Sequence, residues 1–222
     1  MKLFDPNNPL MRSMSKVADI IILNILFMVC SIPVVTIGPA LTALHCVTMK
    51  LVRDEEGGII KDFFQSFRLN FRQALTIHLI MLAVAAVLFI DIYFVLYSKN
   101  DLGAMAYILF GVAAFLGVIG VLTLLYVYPV LAKFDNPTGR TMVLAFTLAI
   151  RHLPTTIVLA IITAIPILAM MIPHESVIAF IYLMLIFGFS AVAMAQASFL
   201  RKVFDQYIPA EQNENRNSEV HT

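Results

Sequence analysis

The chain has 222 residues, of which 60% are hydrophobic and 13% are charged, and its formal net charge is +1. This balance is far more apolar than that of soluble domains, and a net charge so close to zero gives no reason to expect nucleic acid as a partner. Four apolar stretches approach or exceed the ~20 residues that a helix needs to cross a bilayer, namely residues 74–97, 105–132, 154–172 and 177–200. The composition therefore predicts an integral membrane protein in contact with the lipid bilayer, with no room for a soluble domain of ordinary size.

An earlier apolar run, residues 17–53, is interrupted between Pro33 and Pro39. The pair Gly38 and Pro39 is unfavourable inside a helix but suits a turn that leads into a new helix. The run is therefore either one long kinked helix or a hairpin of two short helices, roughly 17–34 and 39–53. The second helix is short for a full crossing, so we leave open whether it spans the bilayer or is re-entrant.

Basic residues are concentrated in alternate connections of the chain. Segments 50–72 and 133–151 are rich in Lys and Arg, whereas segment 98–104 has only Lys99 and segment 173–176 has none. By the positive-inside rule the two basic segments are cytoplasmic, and a hairpin at 17–53 then leaves both termini inside. We therefore expect an all-α, polytopic bundle of about six membrane helices at 17–205. Residues 1–16 form a cytoplasmic segment and residues 206–222 a disordered tail.

Residues 59–73 have a helical periodicity unlike that of the spans. Phe63, Phe67 and Phe71 recur on one face, while Arg68 and Arg72 lie on the other. This pattern predicts a cytoplasmic interfacial helix with its phenylalanines at the acyl boundary and its arginines at the phosphates. A helix that simply caps the bundle is the equal alternative. A second interfacial helix is expected to follow Thr138, a candidate N-cap, and to run to Arg151.

Several polar residues lie within apolar segments, where they are costly and need a reason. Asn24 is expected to form interhelical hydrogen bonds, and His45 and His78 to be neutral and bonded to neighbouring carbonyl groups. Asp91 lies close enough to the outer interface for hydration to relieve its charge, or it forms a cation or proton site. Together with Gly38 and Pro39 these residues are the candidate intramembrane polar sites.

Tyrosines take the interfacial positions that tryptophan, absent here, would otherwise occupy. Tyr93, Tyr97 and Tyr107 surround the turn at 98–103, and Tyr126 and Tyr128 lie near the other end of their helix. We expect all five to belong to aromatic belts. The chain has no recognisable catalytic, nucleotide-binding or metal-binding motif, so we expect neither an enzyme nor a cofactor.

Four parts of the sequence resemble the YesL-like family of bacterial integral membrane proteins, a family defined by a domain of unknown function. They are Asn24, the turn Pro33-Val-Val-Thr-Ile-Gly-Pro-Ala40, the run Phe63-x3-Phe67-x2-Asn70-Phe71-x-Gln73, and Tyr128-Pro129 followed by Ala132-Lys133-Phe134. The similarity covers about residues 3–205, although the chain lacks a tryptophan expected near the first turn. It implies a multi-pass protein of the bacterial cell membrane, often encoded near carbohydrate permeases and sensor kinases, without an established reaction.

Two functions follow as hypotheses. In the first, the chain is an accessory or regulatory protein of carbohydrate uptake or sensing that binds a permease or a sensor kinase. In the second, it is a small transporter or channel whose site lies near the broken hairpin and Asp91. The sequence gives neither a substrate nor an oligomeric state.

Overall fold

The computed structural model describes residues 9–55, 57–97, 104–169 and 180–207, and within these ranges all regular structure is helical. The all-α class is therefore confirmed. We number the helices α1 (Pro9–Cys30), α2 (Ile37–Val52), α3 (Ile59–Tyr97), α4 (Ala104–Lys133), α5 (Thr138–Arg151), α6 (Leu153–Ala169) and α7 (Phe180–Phe204). Apart from Ala104, Gln206 and Tyr207, the loops expected outside the membrane and the tail expected to be disordered lie beyond the described residues.

Helices α1 and α2 form the hairpin that the Gly and Pro residues predict. A short 3₁₀ helix, Val34–Thr36, joins them, and Thr36 Oγ1 donates a hydrogen bond of 2.7 Å to the carbonyl oxygen of Cys30 at the end of α1. Pro39 is tolerated in the first turn of α2 because the N–H groups there have no partner within the helix. Helix α1 begins at Pro9, inside the segment expected to precede the first helix.

Helix α3 is continuous over 39 residues, so the separate interfacial helix predicted at 59–73 does not exist as such. The amphipathic stretch is instead the first part of the same helix as the apolar stretch. The physical reason is that the sequence from Ile59 to Tyr97 has no Gly or Pro, so only its hydrophobic periodicity changes. At 1.5 Å per residue the helix is about 58 Å long.

Helices α5 and α6 meet at His152 with a bend of 102°. The interfacial helix predicted up to Arg151 is thus present as α5. Thr138 is not its N-cap, however, because the preceding residue, Pro137, occupies that position and no side chain caps the helix. Helix α7 contains one π-helical turn, Met184–Gly188.

Four described helical stretches are long and apolar enough to cross a membrane, or five if the bent pair α5 and α6 counts as one. They are Val34–Val52, α3, Met105–Lys133 and α7. About six spans were expected, and that number is not confirmed. Helix α1 is not among the candidates found in the part of the chain that was searched.

The packed core lies at one end of the helices. Helix α2 is at its centre and contacts α3, α4 and α7, with buried residues on all its faces. By contrast, most side chains in the second half of α3 and the first half of α4 are exposed, including Phe89, Ile90 and Phe115. Such apolar exposure is appropriate to lipid contact.

Candidate functional site

The tip of the hairpin contacts the midpoint of α3. Gly38 is buried there, and a Cβ atom at this position would lie 2.6 Å from His78 Cβ and 2.9 Å from the carbonyl oxygen of Ala74. Only glycine therefore allows α2 to approach α3 this closely. Because His78 is 19 residues from each end of α3, the second half of that helix extends about 28 Å beyond the hairpin.

His78 joins three elements at this tip. Its Nε2 lies 3.1 Å from the carbonyl oxygen of Val34, and its Nδ1 lies 2.8 Å from the hydroxyl oxygen of Tyr128 on α4. A carbonyl can only accept, so Nε2 donates to Val34, while the Tyr128 hydroxyl can serve as either partner for Nδ1. Both ring nitrogens thus have hydrogen-bonding partners. We call Val34, His78 and Tyr128 the tip joint.

The role of Tyr128 differs from the one predicted for it. Tyr126 and Tyr128 were expected in an aromatic belt, but both are buried. The hydroxyl of Tyr126 pairs with Thr156 Oγ1 at 3.0 Å, which ties α4 to α6. Both prefer the interior because each finds a hydrogen-bonding partner there. Tyr93, Tyr97 and Tyr107 are exposed at the other end of α3 and α4, as a belt requires.

Asn24 on α1 binds the π-helical turn of α7. Its Nδ2 donates to the carbonyl oxygens of Met184 and Leu185 at 3.3 and 2.8 Å, and its Oδ1 accepts from the backbone N–H of Ser190 at 3.1 Å. A π-turn shifts the hydrogen-bonding register of a helix and leaves backbone groups in need of partners. Asn24, itself fully buried, supplies those partners from another helix.

A cavity of about 440 Å³ lies between α2, α4, α6 and α7. Its lining is largely apolar, and its polar members are His45, Tyr128, Thr163 and Gln196. Gln196 Nε2 donates to Thr163 Oγ1 at 2.8 Å across the α6–α7 contact. His45 is only 6% exposed, and its Nδ1 has no hydrogen-bonding partner among the described residues.

The predicted polar sites are therefore brought together only in part. Gly38 and His78 meet at the tip joint, and Tyr128 connects that joint to the cavity of His45. Asp91 lies 13 residues beyond His78, about 20 Å along α3. It is half-buried there and remote from both the tip joint and the cavity. Sequence reasoning missed Tyr128 because its partners come from distant parts of the chain.

The phenylalanines of the predicted cytoplasmic interface turn mainly inward. Phe63 is fully buried against the hairpin, in a cluster that includes Leu23 and Leu44. Phe67 and Phe71 are half-buried and continue the aromatic row, with ring centroids 6.2 and 5.4 Å apart along it. Arg68 and Arg72 are exposed on the opposite face. The stretch therefore packs on the bundle, as in the capping alternative.

Charged residues gather where α1, α2, α3 and α7 come together. We call this region the basic end, and its ion pairs are Lys16–Asp54 (2.6 Å), Lys50–Asp62 (3.0 Å) and Arg53–Asp205. In addition, Arg201 donates to the carbonyl oxygen of Val52 at 3.2 Å. These contacts connect parts of the chain that are up to 152 residues apart.

In the described residues there is no group of three His, Cys, Asp or Glu side chains that could hold a metal ion.

A family model described as "Protein of unknown function, DUF624" matches residues 20–92. The matched region comprises most of the hairpin and nearly all of α3, and so includes Asn24, Gly38, His45 and His78. This match supports assignment to a family defined by a domain of unknown function. No curated protein and no solved structure matches the chain.

Proposed function

We propose that this protein is a non-enzymatic, multi-pass component of the bacterial cell membrane that acts by binding a membrane partner. In this proposal it serves carbohydrate uptake or its sensing, and the partner is a permease or a sensor kinase. The YesL-like resemblance supports the biological setting, and the long apolar helices support a membrane protein. The family match over residues 20–92 assigns no activity.

The observation that carries the proposal is the bare surface of the outer α3–α4 pair, by which we mean residues 79–97 and 104–124. Within this pair Val95, Ala106 and Ala113 are buried between the two helices, whereas most other side chains are exposed. Three glycines of α4, Gly111, Gly117 and Gly120, have open space where a Cβ atom would be. Of these, Gly117 and Gly120 lie on the same side of α4, and a partner helix could approach closely along these two, as small residues allow in membranes.

The transporter hypothesis has less support from the geometry. A transport site in a broken hairpin needs backbone groups that are free to bind a substrate. Here the carbonyl oxygen of Val34 accepts from His78, and the Thr36 hydroxyl lies within hydrogen-bonding distance of the carbonyl oxygens of Cys30 and Pro33. These polar groups of the turn are thus used within the protein itself, although Ser31 Oγ, at the start of the turn, has no hydrogen-bonding partner among the described residues.

Crosslinking in intact cells tests the proposal. The tagged chain, expressed at its native level in cells grown on a carbohydrate, is crosslinked, extracted in mild detergent and analysed by mass spectrometry. We expect a permease or sensor kinase to co-purify, and Gly117→Leu with Gly120→Leu to reduce its recovery at least fivefold. Gly139→Leu on α5, where a Cβ atom also meets nothing within 4 Å, is the matched control.

Two results would contradict this function. One is equal recovery of the partner with the α4 double variant and with the control. The other is saturable flux of a sugar or an ion in proteoliposomes that contain only this chain, which would favour the transporter instead. Both variants are expected to keep the wild-type gel-filtration profile because the space around all three glycines is open.

A further inference from the structure

Asp91 is the one charged residue of the outer α3–α4 pair. On both sides of it along α3 the exposed side chains are apolar, among them Phe89, Ile90 and Phe94, which are 71%, 65% and 53% exposed. Such side chains are suited to lipid, so Asp91 places a carboxyl group on a surface that otherwise contacts hydrocarbon. An ionisable residue in this setting is unfavourable unless it has a partner, and it therefore points to a functional site.

The described part of the chain supplies no partner for this carboxyl group. The Asp91 side chain forms no hydrogen bond or ion pair with any described residue. It is half-buried, and neither of its oxygens is among the polar atoms that are enclosed by the protein without a partner. Both oxygens are therefore accessible from outside the α3–α4 pair.

Hydration from the membrane surface is one expectation for Asp91, and the geometry makes it the weaker one. Asp91 is six residues from Tyr97, the last residue of α3, which is about 9 Å along the helix. Lysine and arginine can return their charge to the interface on a long stem, but aspartate has a single methylene group. The carboxyl group therefore stays at the depth of its own helical turn, among apolar side chains.

We propose that Asp91 forms an ion pair, within the membrane, with a lysine or arginine on a transmembrane helix of a partner protein. This inference rests on the proposed function in that it takes the partner to be a membrane protein, and it specifies the chemistry of the contact. A carboxylate in hydrocarbon requires an opposite charge, and the open space at Gly117 and Gly120 lets a second helix approach the same pair of helices.

A second copy of this chain does not meet that requirement. The outer α3–α4 pair contains no Lys or Arg, so two copies that met through this surface would offer each other no cation. They would instead bring two carboxylates together, and like charges across an interface are unfavourable. The partner is therefore a different protein whose membrane helix carries a basic residue.

Crosslinking in intact cells tests the charge of Asp91. Asp91→Asn keeps the shape of the side chain and removes its charge, so it should reduce recovery of the permease or kinase about tenfold. Asp91→Glu keeps the charge and should retain most of the recovery. Asp135→Asn is the matched control, because it neutralises an exposed carboxylate outside the α3–α4 pair and should leave recovery unchanged.

A model peptide tests the same contact without any native partner. The purified full chain and a transmembrane Leu/Ala peptide of about 23 residues carry a fluorescence energy-transfer pair in phosphatidylcholine vesicles. The peptide has either one Lys, about six residues from its end, or Leu at that position, to match the depth of Asp91. We expect the Lys peptide to bind about tenfold more tightly than the Leu peptide. Asp91→Asn should abolish this difference, and Asp135→Asn should preserve it.

The outcomes separate this inference from the proposed function. Equal binding of the two peptides to the wild-type chain would overturn the ion pair and favour hydration of Asp91, whether or not any variant folds. A preference for Lys that persists in Asp91→Asn would overturn it too, as would equal recovery of a permease or kinase with Asp91→Asn, which leaves the proposed function intact. A preference for Lys that Asp91→Asn abolishes, with no permease or kinase co-purifying, would support the inference and contradict the proposed function.

Discussion

Gly38 sets how closely the hairpin approaches α3. In Gly38→Ala the new Cβ atom meets His78 Cβ and the carbonyl oxygen of Ala74, neither of which belongs to a flexible side-chain end. We expect a loss of about 1–3 kcal/mol in the free energy of unfolding, measured in mixed detergent and SDS. Gly111→Ala, where the space is open, should change it by no more than about 0.5 kcal/mol. Equal stability of the two variants would refute the close packing at Gly38.

The tip joint predicts energetic coupling between two side chains that are 50 residues apart. Tyr128→Phe removes the hydroxyl that pairs with His78 Nδ1, and His78→Leu removes the imidazole. In a double-mutant cycle we expect a coupling free energy of about 0.6–1.7 kcal/mol, the range of interhelical hydrogen bonds in membranes. Tyr126→Phe is the control, since Tyr126 is equally buried but pairs with Thr156. Coupling as large between Tyr126 and His78 would argue against a specific joint.

At the scale of single residues, the sequence predicts which side chains need a hydrogen-bonding partner but not which partner they have. The polar character of Asn24 and His78 inside apolar segments shows that each needs a partner, and the structure supplies one for each. The identity of those partners is not local information, because they lie 44 to 166 residues away. That His45 Nδ1 has no described hydrogen-bonding partner cannot be predicted from the sequence either, since it depends on how four helices are spaced.

At the scale of elements, the pairing of α1 with α7 depends on one side chain. Asn24→Leu would leave the carbonyl oxygens of Met184 and Leu185 and the N–H of Ser190 without this partner. We expect a loss of about 1–3 kcal/mol and faster hydrogen exchange across residues 184–190. Asn70→Leu is a suitable control, because Asn70 bonds only within α3, to Ser66. Unchanged exchange in Asn24→Leu would show that the π-turn does not need α1.

Helix positions are predicted far better than helix boundaries. Apolar length locates the long helices, and the Gly and Pro residues locate the hairpin, because both signals are local and strong. The continuity of α3 was missed since a change of periodicity at residue 73 resembles a boundary, although no helix-breaking residue is present. The phenylalanine face predicts burial correctly, but it cannot distinguish burial in lipid from burial against the hairpin.

For the whole molecule, the ion pairs of the basic end show where the basic segments of the sequence lie in the folded chain. Lys16, Lys50, Arg53 and Arg201 come from separate parts of the chain and meet on one side of the bundle. We propose that this side faces the cytoplasm, as the positive-inside rule indicates. Tyr107 lies near the start of α4, at the end of that helix remote from the basic end. Arg140 comes shortly after the other end of α4, on the side of the basic end.

Cysteine labelling tests that orientation. In a background with Cys30 and Cys46 replaced by alanine, Tyr107→Cys should react with a membrane-impermeant maleimide in intact cells. Arg140→Cys should react only after permeabilisation, since both positions are exposed and differ only in the side of the membrane. The reverse pattern would invert the topology of the whole chain.

The uninterrupted length of α3 has a mechanical consequence. His78 lies at the midpoint of this rod of about 58 Å, so a tilt of roughly 10° about His78 moves each end sideways by about 5 Å, in opposite directions. The hairpin packs against only the first half of the helix, and the second half continues it without a break. Any event that reorients the packed half is therefore transmitted, at equal amplitude, to the far end of the helix.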